Sequence, residues 1–343
     1  RRTALEITAD SVRLLDVEIA RRPGDSPRLL PASHFAHLCL DGTFLAAARA
    51  VILAARSRLP CALEGDTAVA KTTAVLWVAH LLRHEAVRLN LNGQSDTGEL
   101  VGRFVPDVAG TGTAWRFWEG IVPDAMRYGR WVVLDELNLA EPQVLERLNP
   151  VLEQHPSLVL SEHTGERFGP GGDVPVADDF RIFATMNPAE YAGRSVLSPA
   201  FRDRWNLWNV LEAPGEPEYR ALLHRLVHGV QPEFVLDGIE WRAADADPVH
   251  PQLATDPGID ELLDAIASFH VSMSALAGTE LGRSRRERYV FTRRTLLATM
   301  ALVADLVDRG HAAHAAAREA LEIVYLQRVQ PGPDRQLPAR PSA

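Results

Sequence analysis

Residues Gly65 to Thr73 form a short pattern that could bind phosphate. They match G-x-x-x-x-G-K-[ST], except that Ala70 takes the place of the second glycine. An apolar run precedes the segment and a helical pattern follows it, as the motif requires. In such a loop Lys71 bridges the β and γ phosphates of a nucleotide and Thr72 binds Mg²⁺. The predicted phosphate-binding residues are Gly65, Asp66, Thr67, Ala68, Val69, Ala70, Lys71, Thr72 and Thr73.

Lys71 differs from every other basic residue of the chain. The sequence has 36 Lys and Arg residues, and all of them except Lys71 are Arg. The planar guanidinium fork of Arg cannot occupy the compact site that an ammonium group fills. This single lysine supports the phosphate-binding interpretation of the loop, and a chance match in a surface turn is the alternative.

Two adjacent acids follow a second apolar run. Trp131, Val132, Val133 and Leu134 lead into Asp135 and Glu136. On a buried strand this order places both carboxylates at the carboxyl edge of the sheet, where open α/β sheets bind ligands. We predict that Asp135 holds Mg²⁺ through water, beside the ligand Thr72, and that Glu136 accepts a proton from the attacking water.

A third apolar run ends in an asparagine. Asn187 follows Phe183 to Met186 and precedes Pro188, a position suited to orienting a water beside the γ phosphate. Further along the chain, Arg202 and Arg204 could reach a phosphate bound by a neighbouring subunit. Taken alone, the asparagine is typical of a turn and the arginines are typical of surface charge.

The elements that position these residues alternate between strands and helices. Strands are predicted at 61–64, 87–91, 131–134 and 181–185, and helices at 44–58, 71–83, 122–128 and 142–154. This alternation predicts a parallel sheet covered on both faces. The stretches 102–118 and 158–168 look like inserted hairpins. Trp115, Phe117 and Trp118 in the first could contact a substrate or pack the hairpin.

The pattern changes after Trp208. Residues 213–257 are rich in proline and predicted to be irregular, and helices are predicted at 260–277, 292–309 and 312–329. The predicted domains are an N-terminal lead-in (1–35), an α/β nucleotide-binding domain (36–212), a smaller all-α lid (213–329) and a disordered tail (330–343).

The order of these motifs resembles AAA+ ATPases of the MoxR and dynein-related (midasin-like) clade. The resemblance rests on the phosphate loop, on Leu134 to Ala140, on Thr185 to Pro188 and on Ser198 to Trp205, and it covers roughly residues 40–310. It implies a P-loop α/β core with inserted hairpins and a helical lid. Ala before the loop lysine departs from most of the clade, although the related MCM helicases and magnesium chelatases commonly show it.

The resemblance also implies roles for individual residues. Asn187 corresponds to sensor 1, Arg204 to the arginine finger, and Arg294 to sensor 2. It further implies a ring oligomer, a hexamer in related proteins, in which ATP hydrolysis remodels or assembles a protein partner. Proteins with a von Willebrand factor A domain are frequent partners of MoxR relatives.

Two other functions stay open on the sequence alone. Six arginines fall between Arg283 and Arg294, and such a patch could serve a nucleic-acid motor of the same clade or simply be a solvated loop. The net charge of −9 argues mildly against nucleic-acid binding. A nucleotide-gated scaffold with little turnover is the other alternative, against which Glu136, Asn187 and Arg204 argue.

Length and composition limit the domain number, the location and the further metal sites that the chain can be expected to have. With 343 residues, 46% of them hydrophobic, the chain is expected to fold into about two domains. No charge-free stretch is long and apolar enough to span a membrane, and without a signal peptide a cytoplasmic location is expected. Cys39 and Cys61 are predicted to be buried free thiols. The pairs His80/His84 and His224/His228 lack an apparent third ligand, so no metal site beyond Mg²⁺ is predicted.

Overall fold

The structure is a computed structural model that describes residues 1–24, 26–107, 115–161, 163, 165–188, 196–281 and 289–329. The chain divides into two compact units. The first, here called the sheet unit, comprises residues 4–32 and 44–212. The second, here called the helical unit, comprises residues 1–3, 33–43 and the chain from 213 onward.

The centre of the sheet unit is a five-stranded sheet. Its strands are β5 (Cys61–Gly65), β6 (Ala86–Asn90), β9 (Trp131–Asp135), β12 (Arg181–Met186) and β13 (Leu207–Leu211), in the order β13-β5-β12-β9-β6. Every neighbouring pair is parallel. All of β9 is buried, as expected of a sheet covered on both faces. The predicted α/β class is confirmed.

The fifth strand was not part of the prediction, which ended the strand pattern at Trp208. β13 pairs along its whole length with β5. It lies at the edge of the sheet, and Val210 is exposed. An edge strand needs no continuous apolar run, so its sequence gives a weaker signal than that of a central strand.

Smaller antiparallel sheets complete the sheet unit. They are formed by β2 (Leu5–Ile7), β3 (Ser11–Leu14) and β4 (Val17–Ala20), by β7 (Gly102–Pro106) and β8 (Trp115–Glu119), and by β10 (Leu158–Val159) and β11 (Arg167–Phe168). The last two pairs confirm the predicted hairpins at 102–118 and 158–168.

Among the described residues, six α-helices accompany these strands. They are α1 (Gly42–Ser57), α2 (Lys71–Leu81), α3 (Thr97–Leu100), α4 (Ile121–Tyr128), α5 (Pro142–Glu146) and α6 (Pro199–Asp203). The predicted single helix over 142–154 is wrong, because α5 ends at Glu146 and a separate 3₁₀ turn covers Asn149–Leu152. Pro150 has no amide hydrogen to donate to the Glu146 carbonyl, and its ring would clash with that carbonyl in a continuous α-helix, which explains the break.

The described part of the helical unit contains four α-helices and a small sheet. The helices are α7 (Glu216–His228), α8 (Ile259–Thr279), α9 (Arg293–Asp308) and α10 (Ala313–Leu321), which continues as a π-helix over Glu322–Leu326. The sheet has the order β1 (Arg2–Thr3), β15 (Ile239–Arg242), β14 (Glu233–Leu236). The three helices predicted after residue 257 are present. Among the described residues, no helix is both long enough and apolar enough to cross a membrane.

Helix α7 and the hairpin β14–β15 correct the prediction that residues 213–257 are irregular. The helix buries Tyr219, Leu222 and Leu226, which are spaced for one helical face. It ends at Gly229, whose φ is +77° and where a Cβ would come within 2.1 Å of the Ala246 carbonyl oxygen. Because prolines flank this helix, the sequence pattern predicted irregular structure here.

Candidate active site

The carboxyl ends of three adjacent strands bring the predicted site residues together. β12 lies between β5 and β9 in the sheet. The loop after β5, Asp135 at the end of β9 and Asn187 directly after β12 therefore share one edge of the sheet.

The loop after β5 is tightly wound. Asp66 precedes a 3₁₀ turn over Thr67–Val69, and its carboxylate accepts a hydrogen bond of 2.6 Å from the Thr67 amide. Ala70 then adopts the left-handed conformation, with φ 57° and ψ 34°. Helix α2 begins at the next residue, so the positive end of its dipole follows the loop directly.

The left-handed backbone explains why glycine is the usual residue at the position of Ala70. This conformation destabilises an L-residue by about 1–2 kcal/mol, whereas glycine adopts it without that strain. We expect Ala70→Gly to raise the free energy of unfolding of the sheet unit by about 0.5–1 kcal/mol, after the entropy that glycine gains in the unfolded chain is subtracted. Urea denaturation would measure the change.

The matched control for this prediction is Ala46→Gly, in the helical backbone of α1. There the same substitution should lower stability by about 1 kcal/mol. Equal losses at both positions would contradict the assigned strain at Ala70.

Lys71 is held by three oxygen atoms. Its ammonium nitrogen donates to the carbonyl oxygens of Gly65 at 2.7 Å and Asp66 at 2.8 Å, and to Asn187 Oδ1 at 2.9 Å. The residue is only 7% exposed. A buried ammonium group needs such acceptors, and their arrangement fixes the lysine beneath the loop.

Asn187 connects Lys71 to Glu136. Its amide nitrogen donates to Glu136 Oε1 at 2.9 Å and Oε2 at 3.2 Å, while its amide oxygen accepts from Lys71. Asn138 in turn donates to the backbone oxygen of Asn187 at 2.8 Å. Glu136 itself has a left-handed backbone, with φ 56° and ψ 42°. Strained backbone of this kind is found at sites where a side chain must be aimed.

Asp135 is buried, and three side chains contact its carboxylate. Its Oδ1 accepts from Thr72 Oγ1 and from Thr185 Oγ1, each at 2.7 Å, and its Oδ2 contacts Arg88 Nε. Thr185 and Arg88 were not predicted as site residues. Their signal in the sequence is weak, because a threonine near a strand end and an arginine on a strand are both common.

The oxygen atoms of Thr72 and Asp135 suit a Mg²⁺ ion. Mg²⁺ prefers hard oxygen ligands and usually takes one or two carboxylates together with substrate phosphates and waters. A hydroxyl and a carboxylate in direct contact beside a phosphate-type loop offer this donor set. The residues present therefore fit the ion that the sequence predicted.

Arg202 and Arg204 lie at helix α6, whose N-terminus is capped by Ser198. Arg204 Nε lies 3.1 Å from Glu153 Oε1, and its Nη1 donates to the Ala200 carbonyl at 2.8 Å. Among the described residues, neither of these contacts joins Arg204 to the phosphate loop of its own chain. Arg202 stacks over Trp208 at 4.2 Å and lies 3.5 Å from a Glu64 carboxylate oxygen.

Arg294 belongs to the helical unit. It lies in the first turn of α9 and is exposed, and its amide donates to Thr292 Oγ1 at 3.2 Å. Its predicted sensor 2 role therefore stays a prediction. Of the arginine patch from Arg283 to Arg294, residues 282–288 lie outside the described residues, as does the predicted tail at 330–343.

The first hairpin presents aromatic side chains to solvent. Trp115, Trp118 and Phe104 are exposed, whereas Phe117 stacks on His163 with ring centroids 4.3 Å apart. The packing alternative therefore holds for Phe117, and a substrate contact through Trp115 and Trp118 stays a prediction. Phe117 packs the hairpin, and the two tryptophans are available for contact.

The first histidine pair and the two cysteines follow their predicted structural roles. His84 stacks on Trp131, and burial lowers the pKa of His84 to about 4. His80 bonds the Leu30 carbonyl oxygen at 2.8 Å. Cys39 and Cys61 are buried free thiols, and burial raises the pKa of Cys61 to about 12.

Comparison with known proteins finds a family model that covers this site. Residues 60–205 match the model of the AAA domain of the dynein-related subfamily. This range contains the phosphate loop, both acids, Asn187 and Arg204.

Individual relatives match stretches of similar length. Midasin of Dictyostelium discoideum is 39% identical over 165 residues, which is 48% of this chain and 3% of that protein. Midasin of Giardia intestinalis is 34% identical over 170 residues, 49% of this chain and 3% of that protein. Aerobic cobaltochelatase subunit CobS of Sinorhizobium sp is 27% identical over 155 residues, 43% of this chain and 45% of that protein. The chain thus spans less than half the length of these relatives.

Proposed function

We propose that the chain is a Mg²⁺-dependent ATPase, from the premise that residues 60–205 match the AAA domain of the dynein-related subfamily. One observation carries the proposal. A hydrogen-bonded chain runs from Lys71 through Asn187 to Glu136, next to the contact between Thr72 and Asp135. Phosphate binding, metal binding and proton acceptance are thereby combined at one sheet edge.

Each residue has a defined task in the proposed reaction. The loop amides and Lys71 bind the phosphates, while Mg²⁺ supplies positive charge to the phosphate oxygens when it is held by Thr72 and Asp135. Asn187 keeps the Glu136 carboxylate aimed. Glu136 takes a proton from water as the water oxygen bonds to the γ phosphorus and the bond to the ADP oxygen breaks.

We expect Glu136→Gln to bind ATP as the parent does and to hydrolyse it roughly 10²-fold or more slowly. Glutamine keeps an oxygen that can accept the hydrogen bond from Asn187, so the site should retain its shape. It has lost the basic carboxylate, so the proton has no acceptor. Steady-state phosphate release and calorimetric ATP binding measure the two quantities.

The control variant is Glu146→Gln, which removes an exposed acid from α5 in the same unit. Its turnover should equal that of the parent. Turnover of Glu136→Gln near the parent rate would show that another group is the base. If the parent itself turns over as slowly as Glu136→Gln at every protein concentration, the result would instead support a nucleotide-gated scaffold.

We further propose that the active form is a ring, a hexamer in related proteins, that remodels or assembles a protein partner. The exposed Trp115 and Trp118 on the β7–β8 hairpin support a protein contact, because aromatic side chains are enriched where proteins bind one another. A von Willebrand factor A domain protein is the partner class that the sequence resemblance implies. The relative CobS is itself named as a subunit of a larger enzyme.

A further inference from the structure

Four side chains that can bind metal meet where α7 and α8 pack in the helical unit. His224 and His228 are one turn apart on α7, and Asp260 and Asp264 are one turn apart on α8. One ligand atom from each of His224, His228 and Asp260 lies within 4.8 Å of the other two. The sequence presented the histidine pair without a third ligand, and α8 supplies it.

The spacing of these atoms suits a tetrahedral metal ion. With metal–ligand bonds of about 2.0–2.1 Å, tetrahedral ligand atoms lie about 3.4 Å apart. His224 Nδ1 lies 3.6 Å from Asp260 Oδ1, and His228 Nε2 lies 2.7 Å from the same oxygen. The first separation already fits, and the second needs to open by about 0.7 Å, which a side-chain adjustment provides.

A second carboxylate orients His224 for this role. Its other ring nitrogen, Nε2, lies 3.4 Å from Asp264 Oδ1, and Asp264 also pairs with Arg220 Nε at 3.1 Å. If Nε2 carries the proton and donates it to Asp264, Nδ1 presents its lone pair toward Asp260. A carboxylate behind a ligating histidine is a recurrent feature of protein metal sites.

We propose that His224 Nδ1, His228 Nε2 and the Asp260 carboxylate bind one Zn²⁺ ion. Two imidazoles with one carboxylate form a ligand set that Zn²⁺ takes, whereas Mg²⁺ and Ca²⁺ require mainly oxygen ligands. The side chains of His224 and His228 are 30% and 27% exposed, so solvent can reach the site and water can complete the coordination. The ion would join α7 to α8 within the helical unit.

The test is zinc binding to the nucleotide-free, metal-free full chain, measured by competition with a chromophoric chelator. We expect one Zn²⁺ per chain and a rise in the melting temperature on saturation. His228→Gln should weaken zinc binding by more than about tenfold, and Asp264→Asn, which leaves all three ligands in place, by about 10–100-fold. Substitution with Co²⁺ should give the visible absorption of a tetrahedral site.

Two control variants separate this site from other metal binding. His311→Ala removes a histidine that pairs with Glu319 elsewhere in the helical unit, and it should leave zinc affinity unchanged. Asp135→Asn removes the proposed Mg²⁺ ligand of the sheet unit and should also retain one Zn²⁺. The proposal is overturned if the parent binds no Zn²⁺, or if His228→Gln folds like the parent and binds Zn²⁺ equally well. The four side chains would then be an ordinary ion-paired helix contact.

Discussion

Lys71→Ala is expected to lower the affinity for ATP by about 10³-fold, which corresponds to about 4 kcal/mol. The lysine is the central donor of the loop, with two backbone oxygens and Asn187 Oδ1 as its acceptors. Its removal takes one positive charge from the phosphate site. Isothermal titration of ATP and Mg²⁺ into parent and variant measures the loss.

Lys71→Arg is expected to bind ATP nearly as poorly as the alanine variant. A planar fork cannot direct its donors at the acceptors that surround one ammonium nitrogen. Arg58→Ala is the matched control, since it removes one positive charge from an exposed side chain of the same unit. It should bind ATP like the parent. If Lys71→Ala melts like the parent and binds ATP within tenfold of it, the loop does not hold the phosphates through this lysine.

The core of this site could be predicted because each residue lies at the carboxyl end of an apolar strand or in the loop that follows it. Strands of a parallel sheet align their carboxyl ends, so Lys71, Asp135 and Asn187 were expected at one edge of the sheet once the strands were recognised. The contacts from Lys71 to Asn187 and from Thr72 to Asp135 are in agreement with that prediction.

The supporting residues of the site could not be predicted in the same way. Thr185 and Arg88 reach Asp135 because β12 and β6 flank β9, and that neighbour relationship depends on strand order rather than on any motif. Asn138 positions Asn187 through a backbone oxygen, a contact that leaves no pattern in the sequence. Each of these roles requires the tertiary structure.

The zinc site proposed for the helical unit shows the same limit. His224 and His228 have helical spacing that the sequence displays, but Asp260 lies 32 positions after His228. Helix α7 was itself missed because prolines surround it. Without that helix, nothing in the sequence places the histidines against α8.

Arg204 is expected to act on the nucleotide of a neighbouring subunit. In its own chain it pairs with Glu153, and the two side chains are 34% and 56% exposed. Such an exposed pair contributes at most about 1 kcal/mol, so little free energy opposes its transfer to a phosphate across a subunit contact. Arg204→Ala should therefore bind ATP normally and hydrolyse it about 10³- to 10⁵-fold more slowly, in the range of arginine fingers supplied in trans. The specific activity of the parent should rise with protein concentration.

Mixing two inactive variants tests the trans action directly. Arg204→Ala retains an intact nucleotide pocket, and Lys71→Ala retains the arginine, so a mixed ring contains pockets that receive Arg204 from their neighbour. With random assembly at equal amounts, half of the chains carry an intact pocket and half of those have a competent neighbour. About one quarter of the parent activity per chain should return if each pocket receives one arginine from one side, as in a head-to-tail ring. Arg202, which contacts Glu64 and Trp208 in its own chain, provides the comparison. Arg202→Ala alone should hydrolyse ATP like the parent, and its mixture with Lys71→Ala should keep about one half of the parent activity per chain, with no gain on mixing. If mixed oligomers form without regained activity, and specific activity is flat across protein concentration, Arg204 does not act in trans.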